Sequence, residues 1–365
     1  MSLLEDGQLI RETYEVERYL GQGAFAEVYR VKHRFLGRQA MKVFKRTGMT
    51  VDQIEEMLAE AIMLSRIGHP NIVRVFDANV LETPAGLCGY FTMENVPGGS
   101  LDKFWQSYQT QFVPVSTTVD LIKQVCRGLS VAHQQNPPVV HRDIKPHNIL
   151  VGYEAEGLRA RVSDFGLAKK VNPLTLLATA AGTPQFKPPE AFSDTKGDSC
   201  SADVWAIGIT LYLLLTDQMP FKFPTQLAGG TKNVFQQPVR SASDINPDVN
   251  HTLDRIIAKS LNLQASRRFQ NAIELLAALE DWKSGVTKPE SASSRSDFSK
   301  TALGPQQDSP TQRTAEEMAK KAINLKSAGK LTEAADLMEE AFNKSPKLRE
   351  RYAHHLRLWR RGISM

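Results

Sequence analysis

From Tyr14 onward apolar and polar positions alternate through three short runs, YEVERYL, EVYRVKH and RQAMKVFKR, with glycine or polar turns between them. A period of two marks a half-buried strand, so three antiparallel strands are expected. The period then lengthens. In DQIEEMLAEAIMLSRI (52–67), Ile54, Met57, Leu58, Ala61, Leu64 and Ile67 recur near helical spacing, Met63 less cleanly. HPN (69–71) stops that helix, and two more strands are expected around 72–78 and 87–93. After PGGS (97–100) helical spacing dominates, near 101–110, 116–134, 200–216, 249–262 and 270–282. A small five-stranded lobe followed by a larger, mainly helical one is an α+β order.

Two stretches fall outside this pattern. Residues 284–313 are rich in Ser, Thr, Pro and Gln and nearly lack large apolar groups, so they cannot offset the entropy of ordering and read as a flexible linker. A second, helical unit is expected over 314–361, and residues 1–13 read as an N-terminal extension.

Composition narrows the setting. The 365 residues suffice for two or three domains. Cys88, Cys126 and Cys200 are odd in number, far apart and without a CxxC, which argues against a disulfide framework or zinc site and for a reducing, cytoplasmic compartment. The longest apolar run, AIGITLYLLL (206–215), is too short to span a bilayer. The N-terminus lacks the basic-then-apolar order of a secretory signal. A net charge of +5 is mild, and the basic run at Lys347, Arg349, Arg351, Arg357, Arg360 and Arg361 reads as a solvated helix face, the alternative being a patch for an anionic partner; no nucleic-acid partner is expected.

Several segments carry groups suited to chemistry. GQGAFAEV places Gly21 and Gly23 in the first hairpin with Val28 beyond them. Glycines let backbone N–H groups approach phosphate oxygens, although an ordinary β-turn accounts for the pair equally well. A strand follows this loop, which excludes a Rossmann turn and a Walker A loop. In AMK (40–42), Lys42 sits among apolar neighbours on an internal strand and needs a partner, for which Glu60 on the next helix is the candidate. A purely structural ion pair fits as well. HRDIKPHN (141–148) crowds an acid, two permanent cations, an amide and two imidazoles into one segment, and VSDFG (162–166) follows. Strand-like NILV and RARV between them would form a hairpin bringing Asn148 near Asp164. These two oxygen ligands, together with phosphate oxygens, suit Mg²⁺. Asp143 could orient a hydroxyl and accept its proton, while Lys145 could neutralise charge on a transferring phosphoryl group.

In this order, GxGxxxxV, AMK, an inward helix Glu, MENV, HRDIKPHN, DFG, GTPQFKPPE and DVWAIG resemble the eukaryotic-type (Hanks-type) serine/threonine protein kinases, over about residues 14–283. The resemblance implies a bilobal protein kinase fold and transfer of the γ-phosphoryl group of ATP to protein Ser/Thr hydroxyls, with Mg²⁺ as cofactor and Mn²⁺ as a substitute. It implies that Lys42 binds the α/β phosphates and pairs with Glu60, and that Met93 backs the adenine pocket. The backbone of Glu94 and Val96 would meet the adenine edge. Val28, Ala40 and Leu150 would sandwich the ring, with Leu20, Gly21 and Gly23 completing the nucleotide set. Asp143 would be the base and Lys145 the γ-phosphate cation, with Asn148 and Asp164 as metal ligands. Thr183 would contact the catalytic Asp and Lys. Lys145 and Thr183 together imply a Ser/Thr acceptor. Glu190 would pair with Arg268, and Asp203 would brace the HRD backbone. Two positions depart from the family pattern, Ala26 for a loop glycine and Pro188 for the alanine of APE. The alternative reading is a nucleotide-binding, pseudokinase-like scaffold.

The resemblance also implies that Arg142 receives a phosphate on the activation segment, with Thr175 or Thr179 as the acceptor in autophosphorylation; the alternative is that this apolar segment packs on a helix or another protomer without phosphate. In the tail, Gly329, Ala334, Met338, Ala341 and Pro346 match part of a tetratricopeptide repeat, with a further helix around 347–359. One repeat cannot bury its own faces. The segment therefore docks on the kinase region, pairs with another chain or with a second copy, or is a helical hairpin with accidental spacing. Leu356 and Trp359 are its candidate docking residues. The compact kinase region leans towards a bacterial member.

Overall fold

The computed structural model describes residues 2–23, 26–45, 50–55, 58–59, 67–83, 86–108, 112–154, 156–165, 184–192, 199–223, 234–283, 310–360 and 362–363. Its small lobe is an antiparallel sheet of β1 (Leu9–Ile10), β2 (Tyr14–Gln22), β3 (Ala26–His33), β4 (Gly37–Phe44), β5 (Val75–Thr83) and β6 (Gly86–Glu94), in the spatial order β1-β2-β3-β4-β6-β5. The expected lobe of five strands therefore has six. The sixth comes from the N-terminal extension, where Leu9 and Ile10 pair with Glu15 and Tyr14. A two-residue strand is too short to show an alternating pattern, yet Leu4 and Ile10 are buried with Tyr14, Val16, Tyr29, Val31, Met41 and Val43, covering one face of the sheet. The strand expected at 72–78 runs instead from Val75 to Thr83. Ile72 and Val73 are buried but serve as an attachment to the second lobe, where Ile72 bridges Val162.

The larger lobe holds α1 (Leu101–Gln106), α2 (Val115–His133), the hairpin β7 (Ile149–Glu154)–β8 (Gly157–Val162), α3 (Cys200–Thr216), α4 (His251–Ser260) and α5 (Ala272–Asp281). Helix α3 is apolar almost all round, so nearly every residue of it is buried at the centre of the core. Ser199 caps its start by accepting from the Ala202 N–H, and Asp217 at φ 55° ends it.

A short hinge follows β6. Gly98 approaches β7 so closely that a Cβ there would stand 2.0 Å from the Val151 carbonyl oxygen. The Val151 N–H in turn donates to the Gly99 carbonyl at 2.8 Å.

Three helices form the tail: α6 (Pro310–Ser327), α7 (Leu331–Lys344) and α8 (Pro346–Arg360). The last four residues of the predicted linker are thus helical. The tail packs on the rest of the chain. Leu356 and Trp359 are buried, but within the tail's own core, beside Ala334, Met338 and Phe342. That core reaches the large lobe through Tyr153, whose ring meets Phe342 edge-on at 5.4 Å.

Candidate active site

The segment 141–148 is held by its backbone. Asp203, in the first turn of α3, accepts from the N–H groups of His141 (2.7 Å) and Arg142 (2.8 Å) and pairs with His133 Nε2 at 3.0 Å. His141 is fully buried, and burial lowers its pKa. In the neutral form its Nε2 donates to the Ser163 carbonyl (2.8 Å) and its Nδ1 accepts from the Asp143 N–H (3.2 Å). Arg142 adopts φ 70° and Asp164 φ 60°, sparsely populated conformations that this network maintains.

Pro146–Asn148 forms a single 3-10 turn leading directly into β7. Because Ile149 pairs with Val162, Asn148 lies opposite Ser163, whose N–H donates to the Asn148 carbonyl at 2.8 Å. Asp143, Lys145, Asn148 and Asp164 are therefore brought to one place. Asn148 Nδ2 donates to the Asp143 carbonyl (2.8 Å) and to its Oδ2 (2.9 Å), and Lys145 Nζ stands 2.8 Å from the same carboxylate oxygen. Across the lobe boundary, Lys42 Nζ donates to Asp164 Oδ1 at 2.7 Å. Burial alone would raise the Asp164 carboxyl, but the Lys42 ammonium, with Lys145, holds it below the ordinary aspartate range.

Both Asn148 bonds use its nitrogen, leaving Oδ1 for another partner, and Asp164 Oδ2 lies beside the oxygen that Lys42 occupies. These hard oxygen donors fit a small divalent cation that also takes phosphate oxygens. The two residues that would hold such an ion are Asn148 and Asp164.

Above this group, Val28 pairs with Lys42 and with Gly21, and Ala40 pairs with Met93. Cross-strand partners share a face, so Gly21, Val28, Ala40, Lys42 and Met93 line one side of the sheet. Leu20 is on β2 one position before Gly21, and the Gly23 N–H donates to the Ala26 carbonyl at 2.8 Å. Ala26 is buried against the core, so its methyl group packs inward. From below, Leu150 bridges Ser100. At the hinge the Val96 carbonyl accepts from Gly99, while the Glu94 side chain is held by Arg161 at 3.1 Å. Glu60, Thr183, Thr175 and Thr179 lie outside the described residues, and so does any Lys42–Glu60 pair.

Two features were not legible in the sequence. Lys187 reaches in from GTPQFKPPE and donates to the Arg142 carbonyl at 2.7 Å. Burial lowers its pKa, Asp143 opposes this, and Lys145 adds to it. A lysine between aromatic and proline neighbours was the only available signal. The Glu94–Arg161 pair had none, because its members are distant in sequence and meet only when the hinge lies on β8.

The family described as "Protein kinase domain" matches residues 14–279. The chain belongs to that family. Among curated kinases, the probable serine/threonine-protein kinase PknB of Lactococcus lactis is 28% identical over 281 residues, covering 75% of this chain and 42% of the relative. A probable serine/threonine-protein kinase of Clostridium acetobutylicum is 30% identical over 282 residues, covering 76% and 41%. The chain thus spans about two-fifths of the length of these relatives. Among solved kinases, the crystal structure of the Mycobacterium tuberculosis PknI kinase domain matches with a TM-score of 0.57 at 25% identity, over 76% of this chain and 99% of that one.

Proposed function

We propose that this kinase transfers the γ-phosphoryl group of ATP to serine or threonine hydroxyls of proteins, itself included. The observation that carries the reading is the Asp143 carboxylate, held by Asn148 and Lys145, together with the Lys42–Asp164 pair that spans the lobe boundary. Asp143 accepts the hydroxyl proton as the new O–P bond forms and the bond to the β-phosphate bridging oxygen breaks, releasing ADP. Lys145 offsets charge on the moving phosphoryl group, and Lys42 holds the α/β phosphates. A Mg²⁺ bound by Asn148 and Asp164 would supply charge neutralisation between the phosphates. Lys145 and the serine/threonine kinases among the relatives support the acceptor class. The tail reads as a tetratricopeptide-like pair, supported by Gly329 at φ 75° in the α6–α7 turn and by buried Ala334 and Ala341. Free Cys88, Cys126 and Cys200 are in keeping with a cytoplasmic setting. The scaffold alternative is not favoured, because Ala26 is a packed core residue and leaves the acid, cations and amide in place.

The test is incubation with γ-labelled ATP and Mg²⁺ beside Asp143→Asn, followed by mapping of labelled residues. Transfer should fall about 10²–10⁴-fold in the variant. Wild-type protein that binds nucleotide yet labels neither itself nor a generic basic acceptor would sink the reading.

A further inference from the structure

The small sheet carries a concentration of cations where the tail meets it. Arg18 lies opposite Arg30, Arg30 opposite Ala40, and Lys32 opposite Arg38. Cross-strand partners, and residues two apart on one strand, share a face. Arg30, Lys32 and Arg38 therefore continue the face that bears Val28, Ala40 and Lys42, with Arg18 beside Arg30. Like charges directly opposite one another are destabilising unless they are answered.

The answer comes from α7. Glu333, Asp336 and Glu340 stand at i, i+3 and i+7, one stripe of the helix. Glu340 Oε1 accepts from Arg18 Nη2 at 2.6 Å and from Arg30 Nη1 at 2.9 Å, bridging the cross-strand pair. Asp336 stands 3.7 Å from Arg38, and Glu17 lies 2.6 Å from Arg30 and 3.0 Å from Arg38. Arg18 and Arg30 sit on β2 and β3, the two arms of the hairpin whose tip is the glycine loop.

The tail is rooted elsewhere. Phe342 packs on Tyr153, and the Arg349 guanidinium lies over the rings of Phe104 (4.6 Å), Tyr108 (5.3 Å) and Tyr153 (5.7 Å), all in the large lobe. A helix fixed to one lobe thus presents a carboxylate to the glycine hairpin of the other.

We propose that Glu340 is a positioning residue. Anchored through α7 to the large lobe, it holds Arg18 and Arg30 and so sets where the glycine hairpin stands over the nucleotide site. This rests on the kinase reading for its kinetic readout alone. On that reading the backbone at Gly21 and Gly23 would meet the phosphates in the ground state and the transition state alike, so a displaced hairpin weakens nucleotide binding more than it slows transfer.

The experiment compares full-length wild type with Glu340→Gln, Glu340→Asp, Arg18→Gln/Arg30→Gln and the combined variant. Transfer kinetics and amide hydrogen exchange are read for each. Glu340→Gln should raise KM for ATP about fivefold with kcat within about twofold, and Glu340→Asp should recover most of the loss. Exchange should quicken over 14–33 and not over 331–344. The arginine variant should behave alike, and adding Glu340→Gln to it should change nothing further. Unchanged KM and exchange overturn the proposal. So does exchange that quickens equally over 331–344, which means the tail has merely detached, and so does a fully additive combination. If the wild type binds nucleotide but transfers nothing, the kinase reading fails by itself. The exchange pattern then supports or overturns the clasp on its own.

Discussion

Arg268 has no solvent-exposed side-chain surface, and a guanidinium so enclosed must have every bond answered. Glu190 meets it with both oxygens at 2.7 Å, Asn262 accepts from its Nε at 2.7 Å, and its plane lies 4.8 Å over Trp205. Removing the carboxylate charge leaves an unbalanced buried cation. Glu190→Gln is expected to cost about 2–3 kcal/mol, read as a lowered denaturant midpoint; an unchanged midpoint would show that the remaining carbonyl partners suffice. This pair was legible because both residues lie in motifs whose order identifies the family. The Lys42–Asp164 contact carried no such signal, since it depends on how far apart the two lobes stand, which no local pattern encodes.

At the level of helices and strands, α7 carries one more acid, Glu339, with a different role. Glu339 is buried between the tail and β7 and is bonded through Oε1 to Arg360 on α8 at 2.9 Å. Burial, opposed by Arg360 and reinforced by Asp336, pushes its carboxyl up to about 7. The folded protein therefore holds this proton more tightly than the unfolded chain, whose glutamate titrates near 4.5. Stability from this group is greatest below about pH 4.5 and declines as pH rises towards 7 and through it. Glu339→Gln should flatten that decline and, at pH 8, stabilise by on the order of 1–2 kcal/mol. Thermal melts from pH 5 to 8 decide it, and parallel curves for the two proteins would refute it. Elements with long, regular patterns were read most closely: 200–216 coincides with α3 because an apolar run lies between Ser199 and Asp217. β1 was missed because two residues carry no period. β5 was displaced because Ile72 and Val73 are buried by a lobe contact and not by sheet pairing.

On the scale of the whole molecule, the tail touches both lobes while the hinge joins them. Arg349 over three rings is one of its roots in the large lobe. Arg349→Ala should lower the melting midpoint by about 2–4 °C, for a loss of about 1–2 kcal/mol, and expose the tail to limited proteolysis. An unchanged cleavage rate would mean that Phe342 and Tyr153 hold it alone. The expected helices of the tail were visible in sequence, but their seat was not, since Glu340 and Arg18 are separated by most of the chain. The seat has two halves of different physical character. On the small lobe the contact is between charges, and dissolved salt weakens it, with a Debye length of about 8 Å at physiological ionic strength. On the large lobe a guanidinium lies over rings beside an apolar core that joins Phe342 to Tyr153, and cooling weakens that apolar part. A cell growing more saline and a cell growing colder would therefore loosen the same strap from opposite ends.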